Sequence, residues 1–178
     1  RRTSDEDVDV NAVLISPDGD VAASCSATVS VQACAKGDFL LRLVVGSPQL
    51  WTVGERAKLY TARISLNGKN AGDEIEIRTG IRRFRFDADK GFFLNGEHVP
   101  LRGVNLHSDL GPLGMAFNKS AMRRELAIMR DMGVNAIRTS HNPPAAEMLD
   151  LCDEMGFFVW DECFDKWNAT AGRSDEDR

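Results

Sequence analysis

Three short segments of the chain concentrate polar side chains that could bind a ligand. They are residues 105–109 (Asn-Leu-His-Ser-Asp), 138–143 (Arg-Thr-Ser-His-Asn-Pro) and 161–167 (Asp-Glu-Cys-Phe-Asp-Lys-Trp). An ionised carboxylate only accepts hydrogen bonds, a guanidinium only donates them, and an imidazole does either. If the fold brings the three segments together, they offer complementary hydrogen-bonding partners to a polar substrate.

The elements that must position these segments alternate between strand and helix. The pattern predicts strands and helices in turn, at residues 101–106, 120–132, 136–139, 145–155 and 157–161. Each helix has an apolar stripe at spacings of three and four: Met122, Leu126, Met129 and Met132, then Ala145, Met148, Leu149, Cys152 and Met155. Gly133 and Gly156 end the helices. This order predicts parallel strands, in an open sheet or part of a β/α barrel, with ligands at their carboxyl ends.

The first half of the chain has a different pattern, with period-2 apolar spacing or β-branched residues and turns between the segments. Five strands are predicted, at residues 7–15, 21–31, 39–45, 58–66 and 74–86. The turns contain Ser16-Pro17-Asp18-Gly19, Lys36-Gly37-Asp38 and Asn67-Gly68. Successive strands joined by short turns indicate an antiparallel β-sandwich.

Composition and charge exclude several classes of partner. The 178 residues are 43% hydrophobic and 28% charged, and the formal net charge is −5. The basic residues are scattered, which disfavours nucleic acid as a partner, and no apolar run is long enough to cross a membrane. A closed barrel needs about 250 residues and a sandwich about 100. We therefore expect the chain to be a fragment.

Cysteine and histidine spacing predicts neither a metal nor a cofactor. Cys25, Cys34, Cys152 and Cys163 lack C-x-x-C spacing, and His107-x-Asp109 has no third ligand at a characteristic spacing. No G-x-G-x-x-G follows the first parallel strand, which disfavours a dinucleotide site. Buried free thiols would weakly favour the cytoplasm, whereas a Cys25–Cys34 bridge would fit a secreted parent, so localisation stays open.

The segment Asn135–Pro143, followed by Asp153, Gly156 and the apolar run 157–160, resembles glycoside hydrolase family 2, which contains β-galactosidases, β-glucuronidases and β-mannosidases. Further segments resemble the same family, namely Pro48–Trp51, Leu59-Tyr60, Gly80–Arg82, Phe93–Gly96 and Leu101–His107. The resemblance departs at Asn142, where the family often has Tyr, and at Ser108, where close relatives often have His.

The resemblance implies a fold and an incomplete catalytic site. Residues 1–88 would form an immunoglobulin-like β-sandwich domain that lacks its start. Residues 89–178 would form the first three βα units of a TIM (β/α)8 barrel. The family's acid/base Glu follows the fourth barrel strand and its nucleophilic Glu the seventh, so neither is in this chain. The parent would be a retaining exo-β-glycosidase, first a β-galactosidase, then a β-glucuronidase or β-mannosidase. The fragment alone would be inactive, and it would self-associate or belong to a longer chain.

The same resemblance and the chemistry of the side chains assign substrate-binding or supporting roles to six residues, each of which also has a purely structural interpretation. Arg138 would hold the absent nucleophile ionised through a charge-assisted hydrogen bond, or only form a salt bridge at the barrel mouth. Glu162 would join a network with Arg138. His107 would hydrogen-bond a sugar hydroxyl or the acid/base carboxylate, and His141 would contact the sugar. From side-chain chemistry, Asp109 could accept hydrogen bonds from sugar hydroxyls and Trp167 could stack on a sugar face. Each of the four could instead belong only to a loop or to packing.

Two other function classes fit parts of the chain. A non-catalytic carbohydrate-binding or structural β-sandwich would explain the first half alone. A different β/α-barrel enzyme, such as an isomerase or aldolase, would explain the second half alone. An Asn-Glu pair about one strand-helix unit beyond residue 178 in the reading frame would favour the glycosidase.

Overall fold

The computed structural model describes residues 4–54, 57–68 and 72–163. The chain divides into two compact units. The first comprises residues 1–51 and 58–82, and the second comprises residues 52–57 and 83–178.

The first unit is built on one antiparallel sheet of four strands. The strands are β1 (Glu6–Ile15), β2 (Val21–Val31), β3 (Tyr60–Asn67) and β4 (Gly72–Thr79), in the spatial order β2-β1-β3-β4. Successive side chains of a strand point to opposite faces. The side chains of Val8, Val10, Ala12 and Leu14 in β1 are accordingly buried, while the residues between them are more exposed. The central strand therefore supplies one apolar face of this unit's core.

Two of the strands predicted from the sequence are wrong in this unit. Residues 39–45 form no strand, although Leu41, Leu43 and Val45 are half-buried and alternate with exposed neighbours. An extended segment becomes a strand only when a neighbouring backbone pairs with it, and no described strand pairs with this one.

The predicted strand 74–86 is instead two strands in two different sheets, and the break lies at Gly80. A Cβ atom at Gly80 would lie 2.8 Å from the Trp51 Cβ, so the backbone approaches this buried indole closely. The Trp51 N–H donates to the Ile81 carbonyl at 2.9 Å. Because residues 80 and 81 pack and pair with Trp51, they do not continue β4.

The second unit begins with a short antiparallel meander that the sequence pattern did not reveal. It consists of β5 (Phe84–Asp87), β6 (Gly91–Leu94) and β7 (Glu97–His98). The ring of Phe92 lies 5.0 Å from that of Phe86 and, edge to face, 5.0 Å from that of Phe158. These aromatic contacts pack the meander against the strand that contains Phe158.

A parallel sheet with two helices follows, as the sequence predicts. Its elements are β8 (Gly103–Leu106), a 3₁₀ turn (Gly111–Leu113), α1 (Lys119–Asp131), β9 (Ala136–Thr139), α2 (Ala146–Met155) and β10 (Phe158–Trp160). The strands lie in the order β8-β9-β10. Side chains from both helices and from the strands form one core, whose buried members include Leu126, Ile137 and Leu151. Met132, the residue that follows the last residue of α1, is exposed and does not belong to the buried stripe.

The helix ends follow ordinary capping chemistry. The Asn118 side chain accepts a hydrogen bond from the Ala121 N–H at 3.0 Å and caps the start of α1. Gly156 ends α2 in the left-handed conformation, with φ of 74°. A Cβ atom there would lie 2.4 Å from the Gly54 carbonyl oxygen, so a glycine is required at this close backbone contact.

The four cysteines are not all buried, which corrects the prediction of buried thiols. Cys152 lies in the core, where burial and, secondarily, the charge of Asp153 raise the pKa of its thiol to about 12. Cys25 is half-buried, and Cys34 and Cys163 are exposed. Cys25 lies within β2 and Cys34 lies beyond its end, and no disulfide bridge joins them.

Within the described residues, no helix is both long and apolar enough to cross a bilayer.

Candidate functional site

The register of the parallel sheet aligns three residues across its strands. Asn105 of β8 pairs with Arg138 of β9, which in turn pairs with Trp160 of β10. Residues paired in this way share one face of the sheet. Ile137 and Thr139, which flank Arg138 in β9, are buried, and Ile137 belongs to the core formed with the helices. Arg138 therefore lies on the face opposite the helices.

Arg138 is held by a carboxylate that follows the neighbouring strand. Its Nε donates to Glu162 Oε1 at 2.7 Å, and its Nη2 lies 2.5 Å from the same oxygen. Its Nη1 donates to Asn105 Oδ1 at 3.2 Å. The guanidinium is thus fixed on two sides by groups that come from different strands.

Glu162 also accepts a hydrogen bond from His141. The His141 Nδ1 lies 2.6 Å from Glu162 Oε2, and this bond places a proton on Nδ1 because the carboxylate can only accept. Hydrogen bonding from His141 is the largest cause that lowers the pKa of the Glu162 carboxyl. Hydrogen bonding and charge from Arg138 lower the pKa further, whereas desolvation opposes them. Glu162 is therefore an anion at neutral pH and compensates the charge of Arg138.

Backbone contacts at the strand ends support this cluster of Arg138, His141 and Glu162. The Glu162 N–H donates to Thr139 Oγ1 at 3.0 Å, and the Ser140 N–H donates to the Leu106 carbonyl at 3.0 Å. The peptide bond between Ser140 and His141 is cis. In the described part of the chain, the Ser140 Oγ is buried and has no hydrogen-bond partner.

His107 and Asp109 lie in the loop after β8 and line a neighbouring cavity of about 210 Å³, together with Met115, Phe117 and Pro143. The ring of His107 meets the ring of His141 edge to face, with their centroids 6.0 Å apart. The Asp109 Oδ1 accepts a hydrogen bond from the Gly111 N–H at 2.9 Å. The structure thus brings His107 next to the cluster, whereas Asp109 serves its own loop and the cavity.

Three residues at this edge of the sheet, of which Asn105 and Thr139 lie in the polar segments singled out from the sequence, were not among the six residues given individual roles. Thr139 contacts Glu162, and Asn105 contacts Arg138. Trp160 shares the face of Arg138 and is 71% exposed, while Trp167, the aromatic residue proposed from the sequence, lies outside the described residues. Counting alternate residues of β9 and aligning its neighbours would have indicated Asn105 and Trp160. A backbone contact such as that of Thr139 leaves no signal in sequence spacing.

Asn135, the first residue of the segment 135–143, has a structural role at the other end of β9. Its Oδ1 accepts from the Arg102 N–H at 2.8 Å, and its Nδ2 donates to the Pro100 carbonyl at 2.9 Å. The segment therefore combines a residue that ties strands together with residues that form the candidate site.

Among residues 4–54, 57–68 and 72–163, no group of three or more His, Cys, Asp or Glu side chains could hold a metal ion.

Comparison with known proteins matches almost the whole chain to one family. The model "Glycosyl hydrolases family 2" matches residues 1–82, and "Glycosyl hydrolases family 2, TIM barrel domain" matches residues 87–171. The chain is 42% identical over 165 residues to the Beta-galactosidase BoGH2A of Bacteroides ovatus, covering 92% of this chain and 19% of that protein. It is 40% identical over 152 residues to a Beta-glucuronidase of Bacteroides fragilis, covering 84% of this chain and 22% of that protein.

A solved structure agrees with these sequence matches. A glycosyl hydrolase family 2 member from Bacteroides cellulosilyticus superimposes with a TM-score of 0.87 at 32% identity, covering 96% of this chain and 23% of that one. The chain thus spans about a fifth of the length of the relatives it matches. The fold class predicted from the sequence, a sandwich followed by the start of a TIM barrel, is confirmed. This chain belongs to glycoside hydrolase family 2.

Proposed function

We propose that the protein containing this chain is an O-glycosyl hydrolase that releases terminal β-linked sugars, and that the chain supplies part of its substrate pocket. The observation that carries this proposal is the cluster of Arg138, His141 and Glu162 at the carboxyl ends of parallel strands. In β/α barrels this edge of the sheet holds the substrate. The family of the chain supports the same chemistry.

The cluster is suited to support a catalytic carboxylate. Glu162 already compensates Arg138, and Asn105 fixes a further nitrogen, so the guanidinium is preorganised before substrate arrives. We assign Arg138 the role of keeping the nucleophilic carboxylate ionised and Glu162 the role of holding Arg138. Neither the nucleophile nor the acid/base residue is assigned to this chain.

The other proposed residues are assigned to the sugar. His141 has its Nδ1 engaged by Glu162, so its Nε2 is the atom available to a sugar hydroxyl. His107, beside His141, and Asp109, in the loop over the cavity, are assigned to further hydroxyls. Trp167 is assigned to stacking against the apolar side of a pyranose.

We propose a retaining mechanism for the parent enzyme. Two carboxylates about 5–5.5 Å apart would act as nucleophile and acid/base through a covalent glycosyl-enzyme. NMR of the product anomer formed first by the full-length protein tests this proposal. We expect the β-anomer, and a first-formed α-anomer would contradict it.

We propose a β-galactoside as the substrate, with a β-glucuronide as the second candidate. The first is supported by the name of the Bacteroides ovatus relative and the second by that of the Bacteroides fragilis relative. The experiment compares kcat/KM of the full-length protein for p-nitrophenyl β-galactoside and β-glucuronide. We expect the galactoside to be hydrolysed faster. A preference for the glucuronide would select the second candidate, and hydrolysis of neither would contradict both.

The chain on its own is expected to hydrolyse no glycoside, and either to self-associate or to be part of a longer polypeptide that covers its sheet edges. In the described sheet, β8 and β10 are edge strands, and exposed edges pair with other chains. Light scattering coupled to size exclusion, with an aryl β-galactoside assay on the same peak, measures both properties. A stable 19.6 kDa monomer would contradict the edge argument. Hydrolysis by the isolated chain would show that it contains catalytic carboxylates, contrary to this proposal.

The domain boundary is also a proposal, with residues 1–88 as the sandwich domain and 89–178 as part of the barrel domain. Limited proteolysis of the full-length protein tests it, because linkers are cleaved before packed domains. We expect the first cleavage in the exposed turn of residues 88–90, which joins β5 and β6. A first cleavage at residues 80–83, where the two compact units divide, would contradict the proposed boundary.

A further inference from the structure

We propose that Thr139 is a positioning residue whose buried hydroxyl fixes the backbone of Glu162. By doing so it holds the Glu162 carboxylate between Arg138 and His141. The effect expected on turnover rests on the proposed function, whereas the effect expected on Glu162 itself does not.

The position of the Thr139 hydroxyl gives the first argument. Thr139 is 3% exposed, and its Oγ1 accepts from the Glu162 N–H at 3.0 Å. The same hydroxyl points its donor side to Asp161 Oδ1 at 3.5 Å. One side chain therefore contacts both acidic residues that follow β10.

The strand register shows why such a contact is needed. The pairing of β10 with β9 ends at Trp160 and Arg138, so Glu162 lies beyond the last paired residue. A backbone N–H outside the ladder must bond to water or to a side-chain acceptor. The Thr139 hydroxyl supplies that acceptor, and it anchors the residue that the candidate site uses.

The contacts of Glu162 show what the anchoring achieves. Its Oε1 faces Arg138 and its Oε2 faces His141, at 2.7 and 2.6 Å. Both contacts require the carboxylate to have one position and one orientation. Thr139 is β-branched, so its own side chain has few rotamers and forms a rigid support.

A purely structural interpretation of Thr139 makes a different prediction. Thr139 also lines the cavity, together with Leu106 and Met148. In the purely structural interpretation, its role is the packing of its methyl group there. Valine keeps the branched shape and removes the hydroxyl, whereas serine keeps the hydroxyl and removes the methyl group. The pair Thr139→Val and Thr139→Ser therefore separates packing from hydrogen bonding.

The first experiment measures steady-state kinetics of the full-length protein on an aryl β-glycoside. For Thr139→Val we expect kcat to fall by about 10–100-fold, since small misplacements of site groups have effects of this size. We expect KM to stay within about twofold, because a displaced support acts mainly on the chemical step. Thr139→Ser should have a kcat within about threefold of that of the wild-type protein. Melting temperatures of all variants serve as the control for folding.

The second experiment does not depend on turnover. It follows the Glu162 carboxyl by ¹³C NMR with labelled glutamate, and Glu162→Gln assigns the signal. The pKa of this carboxyl is lowered chiefly by the hydrogen bond from His141. We expect Thr139→Val to move the pKa up toward its ordinary value and Thr139→Ser to leave it unchanged.

Either experiment can overturn the proposal. An unchanged Glu162 titration in Thr139→Val, or equal impairment by Val and Ser, would show that the hydroxyl does not position Glu162. If Thr139→Val does not fold, the pair Thr139→Ala and Thr139→Ser makes the same comparison. If the unchanged protein hydrolyses no β-glycoside, the proposed function fails, and the titration still decides the role of Thr139.

Discussion

Each of the two compact units contains an ion pair between an arginine and a glutamate, and the two pairs differ in exposure and in surroundings. In the first unit, Arg63 of β3 lies 2.6 Å from Glu76 of β4, and both side chains are about half exposed. In the second unit, Arg138 lies 2.5 Å from Glu162; the arginine side chain is 40% exposed and the glutamate side chain 20%. Exposed ion pairs contribute little because water and salt screen them.

The difference lies in where the strands place the charges. In the antiparallel sheet, charged side chains lie along the exposed strand β4, where both Glu74 and Glu76 form ion pairs with Arg63. The parallel sheet gathers charges at the ends of adjacent strands, where a histidine and an asparagine join the pair. An Arg–Glu contact thus indicates a site only when other polar groups converge on it.

The strongest test of this comparison is to replace each of the two arginines, one at a time, with alanine. In the full-length protein we expect Arg138→Ala to lower kcat by about 10²–10³-fold, an effect typical of losing one preorganised electrostatic partner. Arg63→Ala is the matched control and should leave kcat unchanged. Steady-state kinetics with an aryl β-glycoside, together with melting curves, measures both. Turnover of Arg138→Ala like that of the unchanged protein would refute the assignment of this residue.

A second prediction concerns the backbone that supports the parallel unit. We expect Gly156→Ala to lower the free energy of unfolding by more than about 2 kcal/mol, since a left-handed alanine alone costs about 1–2 kcal/mol. The added Cβ would also overlap the Gly54 carbonyl. Gly133→Ala is the control, because its φ is 85° but no atom lies within 4 Å of the added Cβ. Urea unfolding measures the difference, and equal effects at the two glycines would contradict the role of the Gly54 contact.

The smallest predicted effect is a pH dependence of stability. The pKa of Glu162 is lowered in the folded state, first by the hydrogen bond from His141, so ionisation of Glu162 favours folding. This contribution is complete above its ordinary pKa of 4.5 and is lost as pH falls through the lower folded value. We expect the melting temperature of the unchanged protein to exceed that of Glu162→Gln at pH 7, and the gap to shrink below pH 4.5. A gap that widens on acidification would give the opposite sign.

The sequence was most informative where local signals end an element. The helices α1 and α2 could be predicted because Gly133 and Gly156 follow apolar stripes of helical period. It was least informative where the outcome depends on a distant partner. Residues 39–45 have the period of a strand but no pairing neighbour, and the break at Gly80 depends on contact with Trp51.

The candidate site shows the same division. Its members could be proposed because they follow short apolar strands, and a network of Arg138 with Glu162 was expected from the family resemblance. The structure places these two in contact, whereas it places Asp109 in its own loop. The contact between the Thr139 hydroxyl and the Glu162 backbone depends on where the pairing of β10 with β9 ends, which no spacing in the sequence encodes.

The side chain of Asn135 determines more than the local packing around it. By bonding both Arg102 and Pro100, it adds side-chain bonds to the backbone pairing that aligns β8 with β9. A slip of one position would turn Arg138 to the opposite face of the sheet relative to Asn105. The amino-terminal edge of the sheet therefore acts as an alignment device for the carboxyl-terminal edge. We therefore expect substitutions in the loops at the far edge to leave the alignment of Asn105 with Arg138 intact.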